Sequence, residues 1–70
     1  MDISCRFGER VRELREKNGW SQEDLAERSG LHRTYVSGVE RGVRNPTLEV
    51  INRLAAALEV PLSVLMKLGG

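Results

Sequence analysis

Apolar residues recur at helical spacing along this chain, and the residues between those runs are ones that start and stop helices. Ile3, Phe7, Val11 and Leu14 stand at i, i+4, i+8 and i+11, one face of a helix over 4–18 that Gly19 ends. The other face alternates charge, with Arg12–Glu16 and Glu13–Lys17 as i,i+4 pairs worth about 0.2–0.5 kcal/mol each. Ser21 and Asp24 form a capping-box pattern for a second helix reaching about Ser29, with Trp20 and Leu25 placed for a hydrophobic staple. A third helix over 33–41 stops at Gly42. Pro46 then drives Asn45 out of the α region and makes a loop. Thr47 caps a fourth helix with the stripe Leu48, Ile51, Leu54, Ala55 and Leu58, and Pro61 opens a short fifth over 61–68. Gly69 and Gly70 read as a frayed end. No repeat, low-complexity tract or linker interrupts 1–70, so the expectation is a single domain: an all-α, compact five-helix bundle.

Residues 22–41 carry the functional signal. Ala26 is small where two short helices must cross steeply, and Gly30 stands where the chain reverses and needs φ > 0. Leu25, Leu31, Val36 and Val39 are the apolar pegs that lock the second of these helices on the first. This is a helix-turn-helix, which presents its second helix outside the core, ready for a DNA major groove.

Composition narrows the picture only slightly. Seventy residues bury about 60% of their unfolded surface, so such a domain is marginal unless well packed or oligomeric. The lone Cys5 makes no internal disulfide, no apolar run nears a membrane span, and no signal peptide precedes the first helix, all consistent with the cytoplasm. A net charge of +1 is low for a nucleic-acid binder. The local balance differs, because between Arg28 and Asn45 the only acid is Glu40, against Arg28, Arg33, Arg41 and Arg44. The acids gather in the first helix and at Glu23, Asp24 and Glu27.

The markers Arg12-Glu13-Leu14-Arg15, Gly19-Trp20-Ser21-Gln22-Glu23-Asp24-Leu25-Ala26, Gly30, Val36-Ser37-Gly38-Val39-Glu40-Arg41-Gly42, Arg44-Asn45-Pro46 and Ala55-Ala56-Ala57-Leu58-Glu59-Val60 resemble the Cro/C1-type, or XRE, family of helix-turn-helix regulators. The resemblance covers 7–65 and implies a lambda-repressor-like DNA-binding fold. The stretch from Leu31 to Arg41 is further similar to the small controllers of restriction-modification systems, which are stand-alone dimers. One departure stands out: His32 occupies the cap of the third helix, where Ser, Thr, Asp or Asn is usual.

The resemblance places Arg33 and Thr34 at base-reading positions, and Arg reads guanine through O6 and N7. Ser37 lies one turn further on that face and is a base or phosphate contact. The next residue, Gly38, costs up to about 1 kcal/mol in a helix interior, so either DNA backbone or a neighbouring helix must come close there. Tyr35 lies to one side of the third helix, either on a phosphate or thymine methyl or packed against the second helix. Gln22, at the start of the second helix, is implied as a phosphate contact, and Arg44 and Asn45 in the following loop are further backbone contacts. Glu40 would repel phosphate. The family pattern instead pairs it with Arg15, a bidentate bridge from the first helix to the third.

The fifth helix is apolar nearly all round, with Leu62, Val64, Leu65, Met66 and Leu68. Leu62 and Leu65 are expected in the core, leaving Val60, Val64 and Leu68 for a two-fold partner. A homodimer on a palindromic operator then has its recognition helices about 34 Å apart. His32 and Cys5 make no metal-ligand set, and no catalytic grouping or phosphate loop is present, so an enzyme, a metal, a cofactor and a small-molecule ligand are not expected. An antitoxin that binds DNA, or an adaptor that uses the helix-turn-helix for protein contacts alone, are the alternative readings.

Overall fold

The computed structural model describes residues 3–67, and the local signals of the sequence explain most helix ends. Five helices follow one another: α1 Ile3–Lys17, α2 Gln22–Ser29, α3 Arg33–Glu40, α4 Leu48–Leu58 and α5 Leu62–Leu65. Both bonds of the capping box open α2: Ser21 Oγ accepts from the Asp24 N–H at 3.0 Å and Asp24 Oδ2 accepts from the Ser21 N–H at 2.9 Å. The Ser21 N–H bonded to the carboxylate, helped by the Ser21 side chain, holds the Asp24 carboxyl below its ordinary range. Thr47 caps α4 in the same manner, its Oγ1 accepting from the Val50 N–H at 3.2 Å. His32 stands at the cap of α3 in extended conformation and makes no side-chain cap bond. Left-handed glycines follow α1, α2 and α3 at Gly19, Gly30 and Gly42. At the end of α4, however, Glu59 takes φ 56°, a conformation in which a side chain costs about 1–2 kcal/mol and that nothing in its residue type announces.

Phe7, Val11 and Leu14 of α1, Leu25 and Ala26 of α2, Val36 and Val39 of α3, Leu54, Ala55 and Leu58 of α4 and Leu65 of α5 share one core. Three apolar residues expected inward are outside it. Ile3 is 69% exposed, Leu48 68% and Leu62 40%. All three are the first residue of their helix. Side chains tilt toward a helix's N-terminus, so a residue at the first position hangs past the end and beyond the neighbour it would pack on.

The fifth helix differs most from its expectation. It is a single turn, with Pro61 as cap rather than first helical residue and Met66 at its end instead of a continuation to 68. Leu65 is fully buried, and Arg10 of α1 donates from Nε to the Val64 carbonyl at 3.2 Å, tying the turn down. Leu68, Gly69 and Gly70 lie outside the described residues. On α1, Arg12 and Glu16 pair at 3.4 Å, while Glu13 turns back to Arg10 rather than forward to Lys17. The third helix stops at Glu40, one residue short of expectation, and Arg41 is its cap.

The sequence pattern also passes over Gly8, which is buried on α1. A Cβ built there would lie 2.2 Å from the Val39 carbonyl oxygen and 2.6 Å from that of Glu40. Backbone thus meets backbone where α1 crosses the end of α3, and the obstacle is two carbonyls that cannot swing aside. Gly8→Ala is expected to destabilise by about 1–3 kcal/mol from overpacking, despite the better helix propensity of Ala. Urea denaturation measures it; a variant at least as stable as the parent would show that the two helices can separate at no cost.

Candidate nucleic-acid interface

The end of α3 is held by a buried ion pair. Arg15 and Glu40 are each 8% exposed. Arg15 Nε donates to Glu40 Oε2 at 2.7 Å and Nη2 donates to Oε1 at 3.0 Å, the parallel fork that guanidinium and carboxylate geometry favours. The third guanidinium nitrogen, Nη1, donates to the Trp20 carbonyl at 2.7 Å. Gln22 completes the group, its Nε2 donating to Glu40 Oε1 at 3.1 Å. The bonds to Glu40 push the Arg15 pKa up from its ordinary value, so the guanidinium is permanently charged. Arg15 of α1 and Gln22 of α2 therefore meet at the carboxylate of Glu40 on α3, and the turn between α1 and α2 joins the group through the Trp20 carbonyl on Arg15. The charge of Glu40 is neutralised inside the fold, which removes the objection to a Glu on a DNA-facing helix.

Beyond this pair, α3 offers a polar surface. Arg33 and Thr34 are exposed in its first turn, and the Arg33 guanidinium makes no ion pair or hydrogen bond among the described residues. Ser37, one turn on, is half-buried, and its carbonyl accepts from Arg41 Nε at 3.4 Å. Tyr35 is half-buried and packs against the core cluster, so its ring belongs partly to the protein interior.

The loop after α3 returns alongside it. The Gly38 carbonyl accepts from the N–H groups of both Val43 and Arg44, at 3.0 and 3.2 Å. This carries the exposed Arg44 back until its guanidinium carbon is 5.6 Å from the centre of the Tyr35 ring. The close neighbour that Gly38 admits is thus the Arg44 stem, neither a helix nor an outside backbone. Asn45, the next residue, is exposed.

Two features of this surface escape sequence reasoning. Arg28, counted above among the local positive charges, lies 4.2 Å over the Trp20 ring. Trp20 packs on the core as the staple requires, but its outer face supports a cation eight positions later, which no i,i+4 rule signals. The second is the involvement of Gln22 with Glu40: its other amide proton and the first N–H groups of α2 are what remain for an anion. Among the described residues no three His, Cys, Asp or Glu side chains come together as metal ligands, and no helix is long and apolar enough to cross a membrane.

A bundle in which α2 and α3 follow one another through a left-handed Gly30, with α3 locked by a buried pair to α1, defines the class of helix-turn-helix proteins. The model of the Helix-turn-helix family matches residues 11–65, and the chain belongs to that family. It is 50% identical over 66 residues to the control protein C.SmaI of Serratia marcescens, spanning 94% of this chain and 79% of that one. The crystal structure of the restriction-modification controller protein C.AhdI from Aeromonas hydrophila matches with a TM-score of 0.87 at 53% identity, over 89% of this chain and 94% of that one. The controller protein C.Esp1396I, crystallised as a tetramer with its natural 35 base-pair operator, matches with a TM-score of 0.82 at 36% identity, over 87% of this chain and 80% of that one.

The ion pair sets a clear stability expectation. Glu40→Ala leaves Arg15 charged and buried against a carbonyl alone, a loss of about 3–5 kcal/mol for so enclosed a pair. Replacing both residues together, as Arg15→Met with Glu40→Leu, should recover much of that loss because no orphaned charge remains. Thermal melts of the three proteins decide it. A Glu40→Ala melt matching the parent would mean the pair is solvated rather than buried.

Proposed function

We propose that this chain is a sequence-specific transcriptional regulator of the restriction-modification controller kind, binding a palindromic operator in duplex DNA as a homodimer. The observation that carries the reading is Arg33, exposed and unengaged at the start of an α3 that Arg15 and Glu40 hold rigidly. Kinship with controller proteins, one of them crystallised on its operator, supports it. In this reading Arg33, Thr34 and Ser37 read base edges, while Gln22, Tyr35, Arg44 and Asn45 hold the DNA backbone and set the register. No cofactor or small ligand takes part, the site of action is cytoplasmic DNA, and occupancy follows the concentration of the protein.

The partner face is the outer side of α5 and the residues before it. Val60 and Val64 are half-buried, and Leu62 and Met66 are 40% and 38% exposed on the same turn. Among the described residues no other element covers them, so Val60 and Val64, with Leu62 and Met66 beside them, meet their copies across a two-fold axis, the face to which the sequence reading also assigned Leu68. Sedimentation should give a dimer for the parent at tens of micromolar and a monomer for Val64→Asp. A monomer in both would remove the dimer and with it the palindrome.

The base-reading assignment is tested by selecting sites from a random duplex pool, then measuring parent, Arg33→Ala and Gln22→Ala on the selected site and its single-base variants at two salt concentrations. Arg33→Ala should lose about 1–3 kcal/mol and relax preference at one base pair per half-site. Gln22→Ala should weaken all sequences alike with little change in salt slope, since no cation is lost. If Arg33→Ala kept full base preference and lost only salt-dependent affinity, Arg33 would be a phosphate clamp.

A further inference from the structure

Gly38 is the one interior residue of α3 without a side chain, and its surroundings explain what it admits. A Cβ built there would lie 2.5 Å from Arg44 Cγ, 3.4 Å from its Nε and 3.5 Å from its Cδ. The Arg44 side chain therefore lies along α3 over Gly38, with the near end of its stem in the space a Cβ would take. Its backbone is fixed in the same place, because the Arg44 N–H is bonded to the Gly38 carbonyl at 3.2 Å. From that position the guanidinium reaches the Tyr35 ring, three residues earlier on the helix, at 5.6 Å. Tyr35 in turn is half-buried against the core, so its ring is a supported platform.

We infer that Gly38 is a positioning residue: it lets Arg44 stack on Tyr35, so that the hydroxyl of one and the guanidinium of the other meet DNA as a single prearranged unit. The inference rests on the DNA-binding reading above and adds to it a coupling between two contacts that belong to different elements. A cation over an aromatic face is held at the cost of less freedom than a loose surface Arg, and an Arg already confined loses less on binding. Any Cβ at position 38 must displace Cγ, close to the fixed backbone. The stem then has to leave the helix surface, and the guanidinium leaves the ring with it.

The test has one arm without DNA and one with it. In the free protein, proton spectra of Arg44 should show upfield ring-current shifts of its Cγ, Cδ and Nε protons. These should fall toward ordinary values in Gly38→Ala and in Tyr35→Leu, the latter removing the ring without adding a Cβ, with circular dichroism confirming that each variant is folded. On the selected operator, Arg44→Ala should weaken binding more in the parent than in Gly38→Ala or Tyr35→Leu, by a further factor of about 2–5, the range of an exposed cation–π contact. Parent spectra with no ring-current shift would overturn the stack. A shift that survives Gly38→Ala would overturn the role of Gly38. Equal effects of Arg44→Ala in all three backgrounds would overturn the coupling on DNA. A parent that binds no duplex while its shifts respond as described would overturn the DNA-binding reading, and the DNA role of the pair with it, but not the positioning of Arg44 by Gly38.

Discussion

One carboxylate organises this fold. Hydrophobic contact drives the helices together but is indifferent to their angle, since burial counts area and not direction. The fork from Arg15 to Glu40 is directional: it is satisfied in one orientation of α3 relative to α1, and Gln22 and the Trp20 carbonyl add α2 and its entry turn to the same constraint. A buried pair of this sort contributes little net stability compared with well-packed apolar residues. Its value lies in geometry. Glu40 ends α3, where the partial negative charge of the helix disfavours a carboxylate, and Arg15 offsets that as well. A few residues away, Gly8 lets the two backbones touch, so the same crossing is fixed by a charge pair and by carbonyls that leave no space.

The distribution of arginines follows from what else they must do. Arg15 is buried, Arg28 covers Trp20, Arg10 ties α1 to α5, Arg53 pairs with Glu49, and Arg44 lies over Gly38 and Tyr35. Arg33 is left with its whole fork available at the start of α3. A net charge of +1 therefore says little about the surface offered to DNA. What counts is which cations are spent inside the protein and which acid, Glu40, is neutralised there.

At α5, packed against α4 and α1, a single turn of helix has more apolar side chains than a core this small can take. Leu65 fills the available space, and Leu62 and Met66 remain partly in solvent. Small domains bury a lower fraction of their surface than large ones, and association is the general remedy.

Much of this was readable from residue types alone, where the controlling interaction is local. Ser21 with Asp24, Thr47, and the glycines after the first three helices act within four residues of themselves, so their types suffice to place most helix ends, and period 3.6 picks out Phe7, Val11, Leu14, Leu54, Ala55 and Leu58 as core. The pairing of Arg15 with Glu40 entered through likeness to a family pattern; no spacing rule links residues on different helices. Tertiary structure alone decided the rest. It set Ile3, Leu48 and Leu62 outside the core, because a first-position side chain points past its helix and only the neighbour's reach determines whether anything meets it. It cut α5 to one turn and put Glu59 in a left-handed conformation that its type disfavours. It also showed why positions 8 and 38 are glycine, since an absent side chain carries no signal until the atoms filling its place are known: backbone carbonyls at one, the stem of Arg44 at the other.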